Sequence, residues 1–236
     1  MVEAVLFDWG HTLIDWVWDE ELLAAGHTAG LRAIGREDAG ITKHFREVYE
    51  PLFWVSGTME ELEYPGIIRE ALAHFGLEVS DQELGRFLEA EHEAWAPARV
   101  LGATTHAMLE ALRSRGLRLG LVSNAFDPPY LLHRDLADAG VAERIDYAVF
   151  SSELGKRKPH PEIFGRALSA LDVRPEAAVF VGDRLYEDVG GASAVGMTTV
   201  QALWFRADEN PDGIEPDFEA FTQMDVLNIV RRLRGE

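Results

Sequence analysis

The chain is expected to fold as an α/β protein: a parallel β-sheet with helices on both faces and an all-helical insertion after its first strand. Three observations point there. Beyond Val100, short apolar runs alternate with helical stretches, a rhythm that needs crossover helices and therefore a parallel sheet. One further apolar run, Ala4 to Phe7, stands alone near the N-terminus. Between the two, residues 16–97 contain no convincing strand.

Each element has its own local reason. Ala4 to Phe7 is apolar throughout and ends at Asp8, so it reads as a buried strand with a carboxylate at its tip. Within the insertion, Pro65 suits the first turn of a helix that Gly76 closes. Ser80-Asp81-Gln82-Glu83 is a capping box ahead of Leu84, Phe87 and Leu88. Thr104 to Arg115 reads as a helix closed by Gly116, followed by a strand from Leu117 to Val122. Helices are expected over Tyr130 to Ala139, Pro161 to Leu171 and Asp188 to Val195, and strands over Tyr147 to Phe150, Ala177 to Val181 and Thr198 to Ala202. Thr222 caps a last helix, with Asp225 completing a box and Phe221 stapling onto Val226.

Composition narrows the function. Hydrophobic residues make up 47% of the 236 and charged residues 27%, which excludes a disordered chain and leaves enough apolar surface for a core without staples. Asp and Glu number 41 against 22 Lys and Arg, a net charge of −19. An acidic surface repels phosphate backbones and anionic lipid, so neither nucleic acid nor membrane is an expected partner. There are no cysteines, which excludes disulfides, thiolate metal sites and a thiol nucleophile and fits a cytoplasmic setting. The N-terminus lacks a basic region and a long apolar run, so no signal peptide is expected. Nothing in the composition fixes the oligomeric state.

Four places carry candidate chemistry, all at strand ends or in loops of the α/β part, where parallel sheets bind ligands. Asp8, in Phe7-Asp8-Trp9-Gly10-His11-Thr12-Leu13, is a turn residue on the plain reading and a carboxylate nucleophile or Mg²⁺ ligand on the functional one. Ser123-Asn124 is either an N-cap or a pair of phosphate donors. The chain has three lysines, Lys43, Lys156 and Lys158, and two of them flank Arg157 in one loop, a concentration of positive charge expected to bind an anion. Asp183 and Asp188 follow another strand. With Asp8 they make an all-oxygen set suited to a hard cation.

Taken together and in this order, the motifs resemble those of the haloacid dehalogenase-like superfamily, in the subgroup with a cap inserted after motif one. Phe7-Asp8-x-x-x-Thr12-Leu13 is similar to motif one and Leu121-Val122-Ser123-Asn124 to motif two. Gly155-x-x-Lys158-Pro159-x-Pro161 is similar to motif three, and Gly182-Asp183-x-x-x-x-Asp188 to motif four. The resemblance implies a Rossmann-like core over residues 1–15 and 98–236 and a helical cap over residues 16–97. It implies a Mg²⁺-dependent hydrolase of a small phosphorylated metabolite, with Asp8 attacking phosphorus to form an aspartyl-phosphate. Mg²⁺ would be held by Asp8, the main-chain carbonyl of Gly10 and Asp183, with Asp188 orienting Lys158 and a metal water from behind. Ser123, Asn124 and Lys158 would bind the non-transferring oxygens, with Thr12 steadying the motif-one loop beside them.

One departure matters. Most phosphatases of the family carry a second Asp two positions after the nucleophile, as general acid and base; here that position is Gly10. His11 follows where a small residue is usual, and its imidazole is a candidate replacement. An added carboxylate at position 10 is expected to risk a clash in a loop shaped around glycine. Three rival readings stay open: a 2-haloacid dehalogenase, a phosphonatase-like enzyme using Lys43 for a Schiff base, and a phosphate-binding regulatory protein that has lost turnover. The cap is rich in aromatics — Trp16, Trp18, Trp54 and Trp95, with Phe45, Tyr49, Phe53, Tyr64, Phe75 and Phe87 — of which one or two are expected to line the substrate pocket.

Overall fold

The computed structural model of the chain describes residues 1–37, 40–53 and 58–236; Trp54 lies outside them. In chain order the elements are β1 (Ala4–Phe7), β2 (Ile14–Trp16), α1 (Glu20–Ala33), α2 (Ile41–Val48), α3 (Glu50–Phe53), α4 (Tyr64–His74), α5 (Asp81–Ala94), β3 (Arg99–Leu101), α6 (Thr105–Arg113) and β4 (Arg118–Ser123). They continue with α7 (Pro129–Asp138), β5 (Tyr147–Phe150), α8 (Ser151–Leu154), α9 (Pro161–Ala170), β6 (Ala178–Gly182), α10 (Gly191–Ala194), β7 (Thr198–Ala202), β8 (Phe218–Ala220) and α11 (Gln223–Arg234).

Six strands form one parallel sheet in the order β5-β4-β1-β6-β7-β8, the α/β architecture expected. Alternation along the strands divides the core in two. Val5, Phe7, Leu119, Leu121, Val179 and Val181 face one side and pack with Met108, Leu112 and Val226 of α6 and α11. Ala4, Leu6, Val122 and Phe180 face the other and pack with Ile163, Phe164 and Leu168 of α9. A third cluster belongs to the helical insert, where Leu31, Phe45, Ile68, Leu72 and Phe87 close a separate core.

The register positions the site. Phe7 lies opposite Leu121 on one side and Val181 on the other. Asp8, one residue on, and Ser123 and Asp183, two residues on, therefore leave the sheet side by side from three adjacent strands.

Several expectations need correction. Two short strands were not anticipated at the ends of the insert: β2 pairs antiparallel with β3, Trp16 opposite Arg99, so the chain enters and leaves the insert as a two-stranded ribbon. Three residues per strand are too few to show alternation. β8 was missed for the same reason. The helix expected over Asp188 to Val195 begins earlier, as a wide π-helical turn over Leu185–Gly190 in which the Val189 amide reaches the Arg184 carbonyl at 3.1 Å. The Thr222–Asp225 capping box is present, but Phe221 is 65% exposed and does not staple onto Val226.

Candidate active site

Asp8 leaves β1 buried, its amide bonded to the Val181 carbonyl at 2.9 Å. Ser123 Oγ donates to its Oδ1 at 2.9 Å and Lys158 Nζ donates to the same oxygen at 2.6 Å. Both donors fall on one oxygen, which leaves Oδ2 as the unengaged corner of the carboxylate. Lys158 is 2% exposed, and its Nζ also lies 2.6 Å from Asp188 Oδ1 and 5.4 Å from the Phe180 ring centroid. Burial alone would strip the ammonium of its proton, but the flanking Asp188 and Asp8 carboxylates outweigh it and raise its pKa.

Asp183 and Asp188 divide their labour. Asp188 spends both oxygens, Oδ1 on Lys158 and Oδ2 on the Arg184 amide at 2.9 Å, so it is a holder. Asp183 turns its Oδ2 to the Arg206 guanidinium, with Nε and Nη2 both at 2.5 Å, and keeps Oδ1 free. Oxygens of Asp8, Asp183 and Asp188 lie within 4.8 Å of one another, all three residues buried. Crowding of this kind favours the protonated acids: burial, then Asp8, push Asp183 up to about 6 against the pull of Arg206. Gly182 is required by the packing, since a Cβ there would sit 2.4 Å from the Asp188 carboxyl carbon.

The remaining expected residues divide. Asn124 lines the cavity, and its carboxamide is clamped on the Lys158 peptide, accepting from its amide at 2.7 Å and donating to its carbonyl at 3.1 Å. It fixes the loop that carries Lys158. Thr12 is fully buried and lies outside the cavity; its carbonyl accepts from Trp204 Nε1 at 3.0 Å and Gln223 Nε2 at 3.2 Å, so it anchors the loop that follows Asp8. His11 lines the cavity in a left-handed conformation, φ 54°, with Nδ1 3.3 Å from Asp15. Burial, then Arg206, lower its pKa below 6.5 against the opposing Asp15. The basic loop divides: Lys156 pairs with Glu60 and Arg157, on the cavity wall, has Nη1 3.8 Å from Glu61, both partners in the insert, while Lys158 is the one that reaches Asp8. Lys43 is 82% exposed beside Glu47 and away from the cavity, which removes the Schiff-base reading.

Arg206 was not foreseen. No motif marks it; it arrives on the loop after β7, held on one side by the Trp204 bond to Thr12 and on the other by Asp208, which accepts from the Leu185 amide at 2.9 Å.

Above the carboxylates a cavity of about 530 Å³ runs up under the insert. Its floor is Asp8, Ser123, Lys158 and Asp183, and its upper walls include Trp16, Trp18, Tyr64, Trp95 and Phe126. His92 of α5 bridges the insert to the sheet side, Nδ1 2.8 Å from Asp127 and Nε2 3.0 Å from Asp135.

Comparison with known proteins agrees with this geometry. The chain is 36% identical over 129 residues to a glyceraldehyde 3-phosphate phosphatase from Methanopyrus kandleri, covering 53% of this chain and 54% of that one. It is 38% identical over 109 residues to a phosphoserine phosphatase from Thermus thermophilus, covering 46% and 42%. These matches span about half the relatives' length or less. Among solved structures, a HAD phosphatase from Thermococcus onnurineus superposes with a TM-score of 0.66 at 25% identity over 97% of this chain and 98% of that one. A 2-haloacid dehalogenase from Pseudomonas syringae shares the fold, with a TM-score of 0.66 at 21% identity over 99% and 100%. The haloacid dehalogenase-like hydrolase family matches residues 2–196, and with the four motif positions gathered at the ends of β1, β4 and β6 and on the Lys158 loop, the chain belongs to that family.

Proposed function

We propose that the protein is a Mg²⁺-dependent hydrolase of small organic phosphate monoesters that works through a phosphorylated Asp8. The observation that carries the reading is the asymmetry of Asp8: Oδ1 is tied to Ser123 and Lys158, and Oδ2 is free at the floor of the cavity. In the first step Oδ2 forms a bond to phosphorus as the ester P–O bond breaks, and the leaving alkoxide takes up a proton. In the second, water forms a bond to the same phosphorus and the Asp8–phosphorus bond breaks, returning the carboxylate and releasing phosphate. Lys158 and Ser123 sit where they can pass from Asp8 Oδ1 to the phosphoryl oxygens as charge builds on them. Gly10 offers no side chain for either proton transfer, and His11 on the cavity wall is the candidate that remains.

Mg²⁺ fits the donor set. The Asp8 carboxylate, Asp183 Oδ1 and the Gly10 carbonyl are hard oxygen donors, and Asp183 Oδ1 is left over by the Arg206 pair. When bound, the ion would offset the repulsion between an anionic nucleophile and an anionic phosphoryl group. In this reading residues 16–97 are a cap over a core made of 1–15 and 98–236, and the compartment is the cytoplasm. Among the described residues, no helix is long and apolar enough to cross a membrane.

The test is Asp8→Asn. It should abolish Mg²⁺-dependent release of phosphate from p-nitrophenyl phosphate while leaving the circular dichroism spectrum unchanged, and EDTA should silence the wild type reversibly. Turnover of a 2-haloacid without metal would replace this reading with the dehalogenase one.

A further inference from the structure

The cavity is larger than its phosphate end needs, and the character of its upper half is specific. Three indoles gather where the ribbon enters the insert. Trp16 and Trp95 stack at 5.7 Å between centroids with 21° between planes, and Trp18 lies 5.2 Å from Trp95. Across from them Phe126 packs on Tyr64 at 4.9 Å. All five residues line the cavity.

The carboxylates among these rings are each engaged by a neighbouring phenol, imidazole or guanidinium. Tyr64 donates to Glu91 Oε1 at 2.6 Å, and His27 Nε2 stands 3.3 Å from the same oxygen. Asp127 and Asp135 are held by His92, and Asp135 also by Arg99 Nε at 3.3 Å. At the phosphate end Arg206 is committed to Asp183 and Lys158 to Asp8 and Asp188. A leaving group rich in hydroxyls would trade many of its water bonds for ring surface and for carboxylates already engaged, a costly exchange. A flat apolar one would lose only unfavourable hydration and meet ring surface. A volume near 530 Å³ is also within the range that encloses ring-sized ligands.

We infer that the upper half of the cavity, walled by Trp16, Trp18, Trp95 and Phe126, is a leaving-group subsite for an uncharged aromatic body, so that the substrate class is the phosphate monoester of an aryl-bearing alcohol and not of a sugar, a triose or an amino acid. This rests on the phosphatase reading for its chemistry, but the subsite itself makes a binding claim that stands apart from turnover.

Two measurements separate the claims. The first compares kcat/KM for 2-phenylethyl phosphate and ethyl phosphate with Mg²⁺ present; the alcohols are of similar acidity, so any difference reports binding of the ring. The expected ratio is about 10- to 100-fold, the scale of burying one phenyl group. Trp18→Ala should cut that ratio several-fold. The second is calorimetric binding of 2-phenylethyl phosphonate against ethyl phosphonate, which neither the wild type nor Asp8→Asn can cleave. Tighter binding of the phenylethyl compound is expected by the same factor. If neither ester is hydrolysed but the phosphonates still differ, the phosphatase reading falls and the aromatic subsite stands. Equal phosphonate affinities, or a ratio near one for the esters, would overturn the subsite whatever Trp18→Ala does. A ratio unchanged in folded Trp18→Ala would overturn its placement on the indoles.

Discussion

Position 10 is a glycine two residues after Asp8, and the structure shows what the first atom of a side chain would meet there. A Cβ built on Gly10 has no heavy atom within 4 Å, so the first atom of a side chain enters open space. Gly10→Asp should therefore fold and supply the missing proton donor. Alkyl phosphates, whose leaving alkoxides are strong bases, should gain up to ~10²–10⁴-fold in the phosphoryl-transfer step, while aryl phosphates gain little. Single-turnover rates across both ester types decide it; an equal gain in both would show that protonation was never limiting. Arg206 sets a second expectation. Its guanidinium occupies Asp183 Oδ2 from a loop pinned at Trp204 and Asp208, and so stands against a cation arriving at the same carboxylate. Arg206→Gln should tighten Mg²⁺ binding about tenfold in calorimetry, the effect of removing one neighbouring like charge. Weaker binding would mean that Arg206 serves Asp183 by positioning it.

At the scale of elements, α5 is the part of the insert that grips the sheet side, through His92. Burial pulls this imidazole down, but hydrogen bonds and charge from Asp127 and Asp135 outweigh it and push it up to about 9, with Arg99 beside Asp135 as the other cation of the cluster. The folded value lies above the ordinary 6.5, so the stabilisation is complete below pH 6.5 and is lost as pH rises through 9. It amounts to about 3 kcal/mol at most. Melting temperature should fall between pH ~6.5 and ~9.5, and His92→Gln should flatten that fall. Nothing local in the sequence announced this contact, because its partners lie 35 and 43 residues further along the chain. What was legible was local or patterned. The Ser80 and Thr222 capping boxes, the apolar strands and the motif spacings all act within a few residues, and each is present. What was not legible needed a distant partner: the β2–β3 ribbon, the diversion of Asn124 onto the Lys158 peptide, the ion pairs that absorb Lys156 and Arg157, and Arg206. The π-helical turn belongs with these, since Asp188 is drawn in by a lysine 30 residues earlier.

Across the whole molecule, the opposite ends of the chain meet at the nucleophile loop. Gln223, the first residue of α11, donates through Nε2 to the Thr12 carbonyl at 3.2 Å and to Thr105 Oγ1 at 2.7 Å, while its Oε1 accepts from Thr104 Oγ1 at 2.8 Å. A Cβ on Gly102 would come within 2.5 Å of the Gln223 amide nitrogen, so the fit is close on that side too. Gln223→Ala leaves the Thr12 carbonyl with one donor fewer and Thr104 and Thr105 with unpaired groups, and should cost about 1–3 kcal/mol of stability in denaturant melts. It should also lower kcat more than it raises KM, because Asp8 is only four residues from the freed carbonyl. The same bonds impose an order in time. A ribosome makes Asp8 before any of these partners, and the residue that steadies its loop is translated more than two hundred positions later. A growing chain thus carries Asp8 long before it can hold it in place, and on the proposed phosphatase reading turnover should begin only once synthesis has reached α11.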